Sequence, residues 1–176
     1  MNKFYLPNDD SYFFAEFLEK YFSSLKNRKI KYLDMGAGSG VLAKTASKFI
    51  DKKNILCADI NSSAVEFLKK EGFNAVESDL FSNVHGKFDL ITFNAPYLPE
   101  DSREPKSSRL ATTGGKKGDE ISVEFLKKAG KYLEKNGRIF LVISSLTPFR
   151  RIKKFEGKIV ARKKLFFEEL FILEFC

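Results

Sequence analysis

The sequence predicts an α/β layer fold built on a mainly parallel sheet. Strand-like and helix-like segments alternate along the chain, which is the pattern that parallel strands joined by crossover helices require. Segment 55–60 is nearly all apolar, as expected for a strand that is buried on both faces of its sheet. A glycine-rich loop follows the first short strand and opens a helix, an arrangement typical of ligand-binding α/β proteins.

The first half of the chain supplies four of the expected strands. Apolar residues at helical spacing over 9–25 predict a first helix, with Asp9 or Asp10 as its cap. The other expected elements follow in chain order: strand 31–35, helix 41–50, strand 55–60, a helix capped by Asn61 or Ser62 that runs to Lys70, strand 74–77 and strand 88–93.

The second half begins with a long polar segment, 98–117, which contains Pro99, Pro105 and Gly114-Gly115. A loop of this length in a small domain is usually functional. A helix over 120–134, a strand over 138–144 and a short helix over 148–155 are expected next. Segments 158–166 and 168–175 predict a closing antiparallel hairpin, so that five parallel strands and a hairpin form one domain over 1–176.

Composition excludes several classes of protein. With 43% hydrophobic residues among 176, the chain can bury a core, and no apolar run is long enough to cross a bilayer. The N-terminus lacks the pattern of a secretory signal, so we expect a cytoplasmic protein that makes no use of a membrane. Cys57 and Cys176 do not form a disulfide framework, and a lone His85 without a Cys-x-x-Cys pair argues against a metal site.

The net charge of +8 is concentrated in the second half of the chain. Residues 1–88 carry 13 basic and 11 acidic side chains (+2), whereas residues 89–176 carry 18 and 12 (+6). The densest basic patch comprises Arg150, Arg151, Lys153, Lys154, Lys158, Arg162, Lys163 and Lys164, opposed by Glu156 alone. Such a patch attracts RNA or an acidic protein face, or it is simply a solvated lysine-rich surface.

The glycine loop has the spacing Gly36-x-Gly38-x-Gly40, with Asp34 two residues before it. Dinucleotide-binding loops have the spacing Gly-x-Gly-x-x-Gly, whose third glycine would fall at position 41 here, but that residue is Val. An acid at the strand end would also repel a pyrophosphate. It would suit the positively charged amino and sulfonium groups of S-adenosylmethionine.

Two further acids follow the next two strands. Asp59 closes the second strand and can accept hydrogen bonds from both ribose hydroxyls, and Asp79 follows the third strand, where it can accept from an adenine amino group. Ile60 and Leu80, the residues after these acids, complete the expected cofactor set. The loop and both acids in register predict an S-adenosylmethionine site, which would release S-adenosylhomocysteine.

The fourth strand ends in Asn94-Ala95-Pro96-Tyr97, the expected reaction loop. An amide or exocyclic amino nitrogen is a poor nucleophile because its lone pair is delocalised. The side-chain oxygen of Asn94 and the carbonyl of Ala95 can each accept one N–H bond, and Tyr97 can stack on the planar group. Pro96 restricts Ala95 to extended conformations, which helps to aim its carbonyl. Such positioning accelerates transfer without a general base, and Asn94 would also lie against the cofactor.

The two motifs resemble those of class I methyltransferases with an Asn-Pro-Pro-Tyr loop. Within these, the chain is most similar to the HemK-like protein-glutamine N5-methyltransferases, in particular the short archaeal and eukaryotic release-factor type. The resemblance extends to segments 5–12, 59–61, 114–120 and 164–170. It implies a Rossmann-like fold with a seven-stranded, mostly parallel sheet, a C-terminal antiparallel hairpin and helices on both faces.

The resemblance also implies a substrate, a partner and roles for individual residues. The substrate would be the glutamine of the Gly-Gly-Gln loop in a peptide-chain release factor, which links the protein to translation termination. The partner would be a small zinc-binding activator subunit that forms a heterodimer by covering an exposed sheet edge. Ser11, Asp34, Gly36, Asp59 and Asp79 would bind the cofactor. Asn94 would orient the glutamine amide, with Tyr97 beside it.

The sequence departs from the family pattern at two positions and leaves alternatives open. Asp34 replaces the commoner Glu, which shortens its reach, and Ala95 replaces the first Pro of the loop, which removes a restriction on Asn94. N6-adenine methylation of RNA or DNA is the main alternative, favoured by the basic second half. Methylation of lysine and a non-catalytic binding module are the others.

Overall fold

The computed structural model describes residues 7–100 and 112–176, and its strands and helices lie close to the expected positions. The strands are β1 (Tyr32–Met35), β2 (Ile55–Asp59), β3 (Asn74–Glu77), β4 (Phe88–Asn94), β5 (Leu133–Ser144), β6 (Lys158–Lys164) and β7 (Glu169–Phe175). The helices are α1 (Asp9–Ser24), α2 (Val41–Ala46), α3 (Ser62–Lys70), α4 (Glu120–Ala129) and α5 (Phe149–Ile152). The opening residues Tyr5 and Leu6 and the loop section 101–111 lie outside the described residues.

The strands form one mixed sheet in the order β3-β2-β1-β4-β5-β7-β6. Strands β1 to β5 are parallel to one another, whereas β7 lies antiparallel to both β5 and β6. This arrangement confirms the predicted class I methyltransferase fold with its C-terminal antiparallel hairpin. Because β1 to β5 run the same way, their carboxyl ends meet at one edge of the sheet.

A hydrophobic core covers each face of the sheet. On one face, Phe14, Leu18 and Phe22 of α1 pack with Tyr32 and Phe140 of the sheet. The other face is covered chiefly by α4 and the segment after β3, through a cluster that contains Leu33, Met35, Phe81, Phe93 and Phe125. Since side chains alternate along a strand, Asp34 lies on the same face as Tyr32, beneath α2.

A buried polar chain crosses the first of these cores. The hydroxyl of Tyr32 lies 2.6 Å from that of Thr92, and the Thr92 hydroxyl donates to Asp34 Oδ1 at 3.3 Å. All three side chains are almost completely buried. Because a carboxylate can only accept, Thr92 donates to Asp34 and Tyr32 in turn donates to Thr92, which satisfies every hydroxyl in the chain.

Several expected element boundaries were wrong. Strand β5 begins at Leu133 rather than Arg138, and helix α5 spans Phe149–Ile152, followed by a 3-10 turn, rather than 148–155. Helix α2 ends at Ala46 rather than Ile50, in a series of turns. Helix α4 ends at Ala129 rather than Glu134, because Gly130 opens a 3-10 turn and Leu133 already pairs with Phe88 as the start of β5. The cap of α1 is Asn8, not Asp9 or Asp10. The cap of α3 is Asn61, as expected, and its side chain accepts from the Ser63 amide.

No helix within residues 7–100 and 112–176 has the length and apolar character needed to cross a membrane.

Candidate functional site

The strand register places the main predicted residues at one level of the sheet edge. Met35 at the end of β1 pairs with Ala58 of β2 on one side and with Phe93 of β4 on the other. The residues that follow, Gly36, Asp59 and Asn94, therefore lie side by side. With a strand spacing of about 4.8 Å, Asp59 and Asn94 stand roughly 10 Å apart, with the glycine loop between them.

The glycine loop depends on conformations that glycine adopts readily. Gly36, Gly38 and Gly40 have φ values of +63°, +52° and +74°. A Cβ on Gly36 would lie 2.8 Å from the Phe93 ring, and one on Gly40 would lie 2.5 Å from Leu68. The sequence therefore needs glycine at these positions for the turn itself and for its packing against β4 and α3.

Asp59 joins the glycine loop to the end of β2. Its carboxylate accepts from the Gly38 amide at 2.7 Å and from the Asn61 amide at 2.8 Å. Burial raises the pKa of this carboxyl, while the two amide hydrogen bonds act in the opposite direction. The acid is thus fixed in place and has little water around it, so a hydroxyl or cationic ligand would be a favourable neighbour.

Asp34 is more deeply buried than its predicted role requires. Besides the Thr92 hydroxyl, its carboxylate accepts from the Ala43 amide of α2 at 3.1 Å, and only 1% of the residue is exposed. Burial raises its pKa to about 7, hydrogen bonds from Thr92 and Ala43 oppose the shift, and the charge of Asp59 adds to it. Asp34 therefore shapes the loop from beneath, and direct cofactor contact stays a prediction.

The adenine side of the predicted site follows β3. The Ser78 amide donates to the Asp59 carbonyl at 2.9 Å, and the Ser78 hydroxyl donates to the Leu80 carbonyl at 2.6 Å. Leu80 has a φ of +48°, unusual for a residue other than glycine. Asp79 is exposed beside it, and Ile60 is 50% exposed next to Asp59. The apolar side chain of Ile60 and the acid Asp79 thus lie near the end of β2.

Asn94 is held by the first turn of α1. Its side-chain nitrogen donates to Asp10 Oδ2 at 3.1 Å and to the Ser11 hydroxyl at 3.2 Å. Asp10 is 8% exposed and Ser11 is 3% exposed. Because the carboxylate only accepts, the Asn94 amide must turn its nitrogen toward Asp10 and its oxygen away.

That oxygen, Asn94 Oδ1, is buried, and no donor among the described residues reaches it. A buried acceptor costs roughly 1–3 kcal/mol unless a ligand, a substrate or a water molecule supplies the donor. The atom belongs to the side chain that the sequence assigns to the reaction loop. The site therefore offers an oriented acceptor for an N–H group.

Two glycines after the reaction loop hold the rest of it in place. A Cβ on Gly114 would lie 2.5 Å from the Pro96 carbonyl oxygen, and one on Gly118 would lie 2.6 Å from that of Tyr97. The Thr147 hydroxyl donates to the same Tyr97 carbonyl at 3.3 Å. Segment 114–118 thus packs directly against the main chain of the reaction loop. The Ala95 side chain is buried, and the acceptor role of its carbonyl stays a prediction.

Part of the basic patch is neutralised by its surroundings. Arg151 donates from Nε to Asp119 Oδ2 at 2.7 Å, makes a second bond to Asp119 Oδ1 and lies 3.5 Å from Glu120. The guanidinium lowers the pKa of the Asp119 carboxyl. Arg151 therefore fastens α5 to the start of α4, which leaves fewer free cations for a nucleic acid than the sequence suggested.

Sequence reasoning missed two contributions to the site. Asp10 was considered only as a helix cap, although it stands immediately before Ser11 in a motif of the opening segment. Ser78 was not considered, although its hydroxyl supports the turn that presents Asp79 and Leu80. An acid–serine pair at the start of the first helix was the available signal for Asp10. A short serine-containing turn after β3 carries no comparable signal.

Comparisons with known proteins follow the same features. The profile of the family described as Methyltransferase small domain matches residues 11–167. A protein of Methanocaldococcus jannaschii, named as a protein N5-glutamine methyltransferase, is 37% identical over 183 aligned residues, which cover 96% of this chain and 89% of that protein.

In two further comparisons, this chain matches less than half of a larger protein. The release factor glutamine methyltransferase of Borreliella burgdorferi is 32% identical over 63% of this chain and 43% of its own length. A solved 16S rRNA N2 G1207 methyltransferase of T. thermophilus, in complex with AdoMet and guanosine, superimposes with a TM-score of 0.66 over 97% of this chain and 44% of that chain. At 18% sequence identity, this second likeness concerns the fold alone.

Proposed function

The chain belongs to the Methyltransferase small domain family and, within it, to the HemK-like protein-glutamine methyltransferases, and on this premise we propose that it methylates the side-chain amide nitrogen of a glutamine. The methyl donor is S-adenosylmethionine, and the glutamine lies in the Gly-Gly-Gln loop of a peptide-chain release factor. The main observation behind the proposal is the buried acceptor Asn94 Oδ1 at the end of β4, for which residues 7–100 and 112–176 provide no donor.

The residues at the ends of β1, β2 and β3 fit the proposed cofactor. When bound, S-adenosylmethionine supplies an electrophilic methyl group on a positively charged sulfur. Two buried acids, Asp34 and Asp59, lie where they could interact with that positive charge. Their pKa values are raised, and the protein as a whole is strongly basic. The residues that would hold the cofactor are Ser11, Asp34, Gly36, Gly38, Gly40, Asp59, Ile60, Asp79, Leu80 and Asn94.

The reaction loop prepares an amide nitrogen for transfer. Asn94 Oδ1 accepts one N–H of the glutamine side chain, and the Ala95 carbonyl accepts the other. Two acceptors in these positions favour a more tetrahedral nitrogen whose lone pair is available. Because Asp10 and Ser11 already fix the Asn94 amide, little reorganisation is needed when the substrate arrives.

Tyr97 and its glycine supports complete the substrate side. The Thr147 hydroxyl donates to the Tyr97 carbonyl, and Gly118 packs closely against it. The main chain of the loop therefore has few alternative conformations. Its ring is the planar surface on which the glutamine amide stacks. Positioning of this kind lowers the barrier by fixing the reacting atoms in one arrangement.

The partner expected from the resemblance fits one edge of the sheet better than the other. Edge strand β6 carries Lys158, Arg162, Lys163 and Lys164, and charged side chains discourage pairing with another strand. Edge strand β3 has Ala75 and Val76 at its centre and no lysine or arginine. We therefore expect a small zinc-binding activator to form a heterodimer along β3.

N6-adenine methylation of RNA or DNA is the alternative that one observation favours. An exocyclic adenine amine is also planar and would also donate to Asn94 Oδ1, and the second half of the chain carries a charge of +6. The pairing of Arg151 with Asp119 and Glu120 weakens this case, because it removes one cation from the basic patch.

Labelling distinguishes the two functions. The protein is incubated with radiolabelled S-adenosylmethionine and either recombinant release factor or total RNA, with and without the activator. We expect label in the release factor, located by mass spectrometry on the Gly-Gly-Gln glutamine. A release factor whose glutamine is replaced by alanine serves as the control. Label in RNA and none in protein would overturn the proposal.

A further inference from the structure

The hairpin between β6 and β7 exposes two adjacent phenylalanines. Phe166 is 93% exposed and Phe167 is 87% exposed, and their rings meet edge to face with centroids 4.7 Å apart. The Leu165 amide donates to the Glu168 carbonyl at 2.8 Å, so the two rings stand at the tip of a tight turn. We call Phe166 and Phe167 the aromatic tip.

Local structure gives no reason for phenylalanine at these positions. Tight hairpin turns favour asparagine, glycine and aspartate, whose backbone conformations and short side chains suit the bend. Burying a phenylalanine side chain contributes about 1.5–3 kcal/mol, and neither residue of the aromatic tip gains this in the described structure. A polar turn would close the hairpin equally well, so the aromatic tip points to an interaction outside the chain.

The aromatic tip lies at the same edge of the sheet as the reaction loop. Asn94 pairs with Val142, Val142 with Ile172, and Ile172 with Ala161, which is a path across β4, β5, β7 and β6. At about 4.8 Å per strand, the tip is displaced from Asn94 by roughly 10–15 Å across the sheet, and, because Phe166 lies five residues beyond Ala161, by roughly 15 Å along the strands as well. A folded protein that inserts a loop at Asn94 spans more than this distance.

Direct contacts connect the hairpin with the helix that anchors Asn94. Lys163 of β6 lies 3.9 Å from Asp9 at the start of α1, one residue before Asp10. The Ser144 hydroxyl at the end of β5 donates to Glu168 beside the tip, and the Glu169 amide donates to the Ser145 hydroxyl at 3.0 Å. The turn is therefore fixed relative to the reaction loop.

We propose that the aromatic tip is a docking element for the protein that carries the methyl-accepting glutamine, and that it binds an apolar patch on that protein. Leu146, 50% exposed, lies in the segment after β5, next to Thr147, whose hydroxyl donates to the Tyr97 carbonyl of the reaction loop. Lys163 and Lys164 precede the tip and Glu168 and Glu169 follow it, so the apolar rings rather than a net charge would make the contact. The proposal rests on the protein-glutamine activity proposed above.

Two substrates of different size test the docking element. One is the whole release factor, and the other is a five-residue peptide centred on the accepting glutamine, which extends no more than about 7 Å to either side. The test variant is Phe166→Ser/Phe167→Ser. Its matched control is Ile159→Thr/Val160→Thr, which alters two exposed apolar residues at the far end of the same hairpin.

In the test variant we expect the KM for the whole release factor to rise at least tenfold, with kcat and the rate on the peptide unchanged. The control variant should behave as the unaltered protein, and both variants should keep its melting temperature. An unchanged KM for the whole release factor would overturn the docking role. An equal loss on protein and peptide would also overturn it, because the tip would then act on the site itself.

Membrane binding and a missing activity are two further outcomes with distinct signatures. Binding of the unaltered protein to vesicles of phosphatidylcholine and phosphatidylglycerol, lost in the test variant while its KM stays unchanged, would assign the tip to a membrane and overturn the proposal. If the unaltered protein labels glutamine in neither substrate, the proposed function fails and the docking role fails with it. Labelling of both substrates with no effect of the test variant overturns the docking role alone.

Discussion

The side-chain nitrogen of Asn94 donates a hydrogen bond to Asp10 Oδ2 at 3.1 Å, across 84 positions of sequence. This bond decides which end of the Asn94 amide faces α1 and which end faces away from it. Since the Asp10 carboxylate accepts and cannot donate, the amide oxygen is left free as the acceptor. The first helix is thus part of the candidate active site.

Replacing Asn94 by alanine should abolish most methyl transfer while sparing the fold. The acceptor for the substrate N–H is removed, and losses of about 10²–10³ in kcat are typical when one oriented polar contact to the reacting group is deleted. Initial rates of methylation measure the effect. The matched control is Asn136→Ala, at an exposed position near the opposite end of the sheet. Full activity in the Asn94 variant would refute its role.

Replacing Asp10 should lower kcat when the new side chain offers no acceptor for the Asn94 amide nitrogen. In Asp10→Ala the amide can rotate, and we expect kcat to fall at least tenfold with little change in cofactor affinity. In Asp10→Asn an oxygen acceptor remains, and most of the activity should return. Rates and equilibrium dialysis with labelled cofactor provide the two readouts. Equal activity of the two variants would argue against a positioning role.

Replacing Asp34 by asparagine should change the pH dependence of stability. Burial raises the pKa of Asp34 from 3.8 to about 7, so its contribution to stability is complete below about pH 4 and is lost as the pH rises to about 7. At about 1.4 kcal/mol per pKa unit, the loss amounts to a few kcal/mol.

Urea unfolding of the two proteins between pH 4 and pH 8 provides the measurement. The asparagine variant lacks the ionisable group, so its stability relative to the unaltered protein should rise across this range and level off above pH 7. Parallel curves for the two proteins would show that Asp34 does not carry the shifted pKa.

Alanine substitutions at two glycines with the same φ should distinguish the effect of backbone strain from the effect of a steric overlap. Gly118 and Gly86 both have a φ of +88°, but a Cβ on Gly118 would lie 2.6 Å from the Tyr97 carbonyl oxygen, whereas one on Gly86 would meet nothing within 4 Å. Both alanine variants should lose about 1–2 kcal/mol of stability from the backbone conformation, and Gly118→Ala should lose more because its Cβ overlaps main-chain atoms. Only Gly118→Ala should also lose activity, by tenfold or more. Similar activity in both variants would mean that Gly118 does not support the reaction loop.

Much of the architecture could be predicted because it depends on local pattern. The strand over 74–77 and the start of α4 at Glu120 matched the structure, since polar and glycine-containing segments bound these elements directly in the sequence. The end of α4 was less predictable. Helical spacing continues through Leu133, but pairing of that residue with Phe88 draws it into the sheet. Tertiary pairing outweighed local propensity there.

The site was predictable where its residues follow strands in a fixed order. Gly36, Asp59 and Asn94 meet at the sheet edge because parallel strands place their carboxyl ends together. The anchoring of Asn94 by Asp10 was not predictable in this way, because it joins a helix to a strand 84 positions away. The burial of Asp34 beneath α2 also depends on side-chain direction, which spacing alone does not specify.

Because the pKa of Asp34 is raised, the heat measured when a positively charged ligand binds should depend on the buffer. With a pKa of about 7, the carboxyl of the free protein is partly protonated at neutrality. A positively charged ligand near the end of β1 would favour the ionised form and release protons into the buffer. Titration calorimetry in phosphate and in Tris should then give equal affinities but different enthalpies, and their difference counts the protons released.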